Sequence, residues 1–93
     1  MNKVEARQLL QAELEAWRRR SYRELCNEVG QWRRFEATGQ SGAWYQGDIQ
    51  VFWDDGARGR VRVVASIDDG GWRTFVPVTE DFIVGPDGAV ASA

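Results

Sequence analysis

Two periodicities divide the chain. Over residues 2–28 the apolar positions return with a helical period. Leu10, Leu14, Trp17, Leu25 and Val29 fall on one side at about 100° per residue, with Val4 and Tyr22 at its margin. From residue 31 onward the pattern becomes alternation, the period of a strand with one buried face. The helical stretch carries a restart signal. Ser21-Tyr22-Arg23-Glu24 places a Glu three residues after a Ser and just before Leu25, which is the order of a capping box. The spacing predicts a kink or break near Arg20-Ser21, then a short second helix to Cys26 or Asn27, ended by Gly30. One straight helix is the alternative, with Ser21 inside the apolar stripe.

Residues 32–38 form the first expected strand, with its register open between a Trp32 face and a Phe35 face. Gly39-Gln40-Ser41-Gly42 is a turn. The longest strand is expected over residues 43–54. Ala43, Tyr45, Gly47, Ile49, Val51 and Trp53 share one face, and Trp44, Gln46, Asp48, Gln50, Phe52 and Asp54 share the other. After a loop at Asp55-Gly56-Ala57-Arg58-Gly59, pairing Trp53 with Val61 keeps the apolar faces together. Val61, Val63, Ala65 and Ile67 then alternate with Arg60, Arg62, Val64 and Ser66. Asp68-Asp69-Gly70-Gly71 is a strong hairpin signal. A two-residue loop there sets Trp72, Thr74, Val76 and Val78 on the face of Ile67, and Pro77 marks an edge or an end. Residues 79–84 are apolar enough to pack, Pro86-Asp87-Gly88 is a turn, and the last residues fray.

The architecture that follows is α+β: a kinked N-terminal helix packed on one face of a four-stranded antiparallel meander sheet. One domain spans residues 1–93, with a helical segment 2–28, a sheet 31–79 and a C-terminal packing segment 80–93. The expected core is Leu10, Leu14, Trp17, Leu25, Tyr45, Ile49, Val51, Trp53, Val61, Val63, Ala65, Ile67, Thr74 and Val76. A helix wrapped by a curved antiparallel sheet resembles the cystatin-like superfold in architecture, which carries no function with it. In sequence, residues 45–88 resemble a family of short uncharacterised bacterial proteins. The resemblance rests on Gln50-Val51-Phe52-Trp53-Asp54-Asp55, on residues 66–75, and on Asp81-Phe82-Ile83 followed by Pro86-Asp87-Gly88. It covers about half the chain, with a weaker echo at Ser21-Tyr22-Arg23-Glu24-Leu25. That family has no assigned activity, so the resemblance implies no catalytic residues.

Composition narrows the chemistry. The 93 residues suit one modest core. A net charge of −2 argues against a general nucleic-acid binder. No apolar run reaches the length of a membrane span, the N-terminus lacks a signal-peptide core, and the lone Cys26 excludes an intrachain disulfide. The expected location is cytoplasmic. With no His, the usual general base and commonest metal ligand are missing, and Cys26 beside Leu25 reads as a buried thiol. No glycine-rich strand-to-helix fingerprint for a nucleotide is present. Neither a cofactor nor a metal is expected. Arg18-Arg19-Arg20 and Arg23 point in different directions on a helix and read as solvated surface. Asp54-Asp55 and Asp68-Asp69 fall at opposite ends of a meander. Like Glu80-Asp81 and Asp87, they read as turn formers or surface groups rather than one acid cluster.

The aromatic residues point further. Five Trp are present, and Trp44, Phe52, Val64 and Phe75 lie on the sheet face that the helix leaves open. Either they form a contact surface, or residues 82–84 or the stems of Arg60, Arg62 and Arg73 cover them. The leading expectation is a non-enzymatic protein-interaction module, self-associating through that outer face, with a homodimer or an unidentified protein as partner. The alternative is a small-ligand pocket between helix and concave sheet. Trp17, Tyr22, Tyr45 and Trp53 would line it, with Arg18 or Arg33 as a polar anchor.

Overall fold

The helices start where capping chemistry allows. The computed structural model describes residues 1–71 and 77–91. Helix α1, Lys3–Arg18, opens on Asn2, whose side chain accepts from the Glu5 N–H at 3.1 Å. The expected break is present. Helix α2, Tyr22–Asn27, begins at Ser21, whose hydroxyl accepts from Glu24 N while Glu24 Oε1 accepts from Ser21 N, both at 3.1 Å. This capping box satisfies two backbone donors that would otherwise be stranded mid-chain.

Among the described residues five antiparallel strands follow in spatial order β1-β2-β3-β4-β5: Trp32–Thr38, Trp44–Trp53, Val61–Asp68, Val78–Val84 and Val90–Ala91. Trp53 lies opposite Val61, as the alternation required. The open register of β1 resolves in favour of Phe35, which lies opposite Gly47 on the helix-facing side and turns Trp32 outward. Gly47 has a specific use here. A Cβ at that position would collide with the Phe35 ring and with the Ser66 carbonyl.

The partner of β3 differs from expectation. Ile67 lies opposite Val78, not Trp72, and the pairing runs on through Val63–Phe82 to Val61–Val84. Residues expected to pack as a C-terminal cover thus form the fourth strand, followed by the short β5. The physical reason is burial: Val78, Phe82 and Val84 bring three buried apolar side chains against β3. The expected strand residues 72–76, including the core candidates Thr74 and Val76, lie outside the described residues. The Asp turn is present nonetheless. Asp68 Oδ1 accepts from Gly70 N at 2.7 Å and Asp69 Oδ1 from Gly71 N at 3.0 Å, with Gly70 at φ +76°.

The described core contains every other expected member, with Trp53 only half-buried, and adds Ala6, Val78, Phe82 and Val84. Helix α1 rests on β3 and β4, and α2 touches β3. The β1 side of the sheet therefore extends past the helices. Among the described residues, no helix is long and apolar enough to cross a membrane.

Two substitutions test this account. Ser21→Ala should lower the unfolding free energy by about 1 kcal/mol in urea titration, and an unchanged midpoint would mean that the cap does not define the break. Gly47→Ala should cost roughly 1–3 kcal/mol through overpacking. A neutral result would mean that both the Phe35 ring and the β3 backbone at Ser66 give way freely.

Candidate functional site

The outer face of the sheet consists of a polar centre flanked by exposed aromatics. Rows across it follow from register. Trp32, Gln50, Val64 and Asp81 form one, and Arg34, Asp48, Ser66 and Thr79 the next. The central polar groups bond to one another. Ser66 Oγ donates to Asp48 at 2.9 Å, and Gln46 Nε2 donates to Asp68 at 3.1 Å. Arg62 bridges Asp54, at 2.8 Å from Nη2 and 3.0 Å from Nε, and Asp81. These contacts, the Asp54 hydrogen bond foremost, hold the guanidinium pKa above its ordinary value. Asp55 takes the Arg60 N–H at 2.7 Å, which with the Arg60 side chain holds its carboxyl below the ordinary range.

Around this centre Trp32 is 65% exposed, Trp44 44% and Phe52 39%. The set expected from sequence does not form one patch. Trp44 and Phe52 sit at opposite ends of β2, eight positions and about 26 Å apart. Gln46, Asp48 and Gln50 lie between them. Val64 is half-buried opposite Gln50, and Phe75 lies outside the described residues. Residues 82–84 do not cover this face, because they belong to β4. Arg62 stands directly across from Phe52, its head group committed to the two Asp residues. Trp32, the most exposed of the described aromatics, is absent from the expected set. Its face depends on the β1 register, for which Phe35 over Gly47 is the only sequence clue.

The four pocket candidates also separate. Trp17, Tyr22 and Trp53 belong to one end of the molecule and Tyr45 to the other. Trp17 is buried under α1, with the Arg20 guanidinium 3.9 Å over its ring. The Tyr22 hydroxyl donates to the Gly59 carbonyl at 2.6 Å. Its proton is held more tightly than usual, chiefly by desolvation. Tyr45 is fully buried and donates to Glu5 Oε1 at 2.8 Å. The two proposed anchors are engaged as well. Arg18 lies 5.3 Å over the Phe82 ring, and Arg33 grips Glu28 at 3.0 and 3.2 Å. Arg20 joins Glu28 at 3.3 Å, so the basic run is dispersed, as its spacing implied. Cys26 is free and half-buried rather than fully buried.

Glu5 accepts three hydrogen bonds, as many as Glu28. It accepts from Ser41 Oγ at 2.7 Å, Ser41 N at 3.1 Å and Tyr45 OH, tying the first turn of α1 to the β1–β2 turn. These donors, Ser41 hydroxyl first, lower its pKa. A crevice of about 170 Å³ adjoins it, lined by Glu5, Gln8, Leu9, Gly39 and Gln40. A second, open depression of about 320 Å³ lies over the paired strands β1 and β2, lined by Arg34, Phe35, Glu36, Gln46 and Gly47. Among the described residues no three acidic or thiol side chains converge to hold a metal ion. Comparison with protein-family models, curated proteins and solved structures returned no match.

The Glu5 clamp has a pH signature. Its pKa lies below the ordinary 4.5 in the folded chain. The stability it contributes is therefore complete above the unfolded pKa and lost as pH falls through the folded one. Glu5→Gln should destabilise the protein at neutral pH, and the gap to wild type should close below pH 4.5. Denaturant titrations at several pH values measure this. A gap that stays constant with pH would give Glu5 a packing role only.

Proposed function

We propose that this chain is a non-enzymatic protein-interaction module that works through the outer face of its sheet and the adjoining β1 edge. The exposed Trp32 and Trp44 carry the reading. Buried aromatic area is a large source of contact energy, and tryptophan is enriched at interface hot spots. An exposed antiparallel face otherwise runs polar. Arg62 with Asp54, and Ser66 with Asp48, already bond to one another on this face, so its contact capacity lies with the aromatics and with the charges of β1. The absence of His from the sequence fits a role in binding rather than proton transfer.

Affinity capture of the tagged full chain from the cells that produce it tests this, with Trp32→Ser/Trp44→Ser in parallel. The wild type should retain a stoichiometric protein, a second copy or another chain, as read by mass spectrometry and light scattering. The double variant should retain several-fold less while keeping its circular dichroism. Equal recovery by both would remove this surface from any role in association.

A further inference from the structure

We propose that the partner at the β1 edge is a second copy of this chain, joined by antiparallel pairing of β1 with β1 about a two-fold axis at Phe35. This rests on the interaction reading above and names the partner and the register.

The two edges of the sheet are treated differently. At one side β5 spans only two of the described residues, a length that offers little to pair with. At the other, β1 presents seven residues, and among the described residues β2 is its one neighbour in the sheet. The phase of its backbone is set by two hydrogen bonds. Gly39 N donates to Ala43 O at 2.9 Å, and Asp54 N to Arg60 O at 2.8 Å. In an antiparallel ladder the bonding direction alternates residue by residue. Odd-numbered residues of β1 therefore bond to β2. Trp32, Arg34, Glu36 and Thr38 turn their N–H and C=O groups to the open edge.

Only even-numbered residues can then pair across the axis, which limits the registers. Centring on Arg34 stacks Arg34 on the partner's Arg34, and centring on Glu36 stacks two carboxylates. Centring on Phe35 sets Arg34 beside the partner's Glu36, and the reverse, in two symmetric pairs. Arg34 already faces Asp48 on its own β2, so charge alternates along the row from Asp48 to Arg34 to the partner's Glu36. The same register sets Trp32 beside the partner's Thr38, whose other neighbour in the row is the partner's Trp44. The two most exposed of the described tryptophans, separate within one chain, thus face each other across one small residue, about 10 Å apart between backbones. On the opposite face the half-buried Phe35 meets the partner's Phe35 at a non-hydrogen-bonded position, where side chains approach closest.

Sedimentation velocity of the full chain up to high micromolar concentration should give a dimer. Arg34→Glu and Glu36→Arg should each weaken it by roughly tenfold or more, since two attractive pairs become repulsive. Mixing these two variants should restore a heterodimer. One variant then carries acids at both positions and the other carries arginines at both, so each of the two cross-strand pairs joins opposite charges again. Hydrogen exchange on the wild type provides a readout free of folding effects. The Arg34 and Glu36 amides should slow with rising concentration while those of Val90 and Ala91 do not. A dimer that ignores both charge variants, or that leaves the β1 amides unprotected, overturns the edge pairing and leaves association through another surface standing. A monomer at every concentration overturns the pairing outright, and the interaction reading is then decided by capture with the tryptophan variant.

Discussion

One helix is narrower than the sheet it must cover. With side chains an α-helix is about 10 Å wide, and strands lie about 4.8 Å apart. The stripe Ala6, Leu10, Leu14 and Trp17 therefore buries two strands well, β3 and β4, where the sheet is most apolar. Val61, Val63, Ala65 and Ile67 are fully buried there because the helix and both neighbouring strands surround them. Everything on the β1 side has to be protected by other means or left open.

Polar contacts at the ends of the helices provide part of that protection. Glu5 fastens the start of α1 to the β1–β2 turn, and Glu28, gripped by Arg33 and Arg20, fastens the end of α2 to β1. The Arg33 hydrogen bond leads the causes that lower the Glu28 pKa. Arg7 bonds Glu80 where β4 emerges beside the helix. These pairs are partly exposed, so each contributes modestly to stability. Their effect is geometric: they orient a helix whose apolar stripe alone would tolerate some rotation. Between the anchors, Phe35 covers the sheet by lying over Gly47, replacing a helix with a single ring.

The parts of the fold legible in the sequence are those governed by local chemistry. The Ser21 capping box, the ends of β1, the Asp turn and the Trp53–Val61 register each depend on residues close together in the chain. The β3 partner depends on competition between distant segments. The alternation Trp72, Thr74, Val76, Val78 follows the turn directly and looks regular. In the strand that does pair, regularity is broken at Glu80, which faces the helix side opposite Ala65. A charge is tolerated there because Arg7 of α1 reaches it, a fact no window of the sequence contains. Ala6 escapes a sequence reading for a related reason. A small side chain contributes little to a hydrophobic stripe, yet it allows α1 to sit close to the sheet.

The candidate surface was legible in kind and not in layout. Alternation along β2 places Trp44 and Phe52 on one face, but says nothing of the distance between them or of the acid and amide groups separating them. Trp32 could be assigned to that face only through pairing with β2, where Phe35 needs the space above Gly47. The same pairing decides which backbone groups of β1 remain open. A sheet edge bearing charges is commonly defended by them, since like charges repel an incoming strand. In the order Arg34-Phe35-Glu36 the charges are opposite and symmetric about the ring, so an antiparallel copy meets attraction in the one register that also joins the tryptophans. In the pairing proposed above, defence against other strands and acceptance of an identical one would follow from the same three residues.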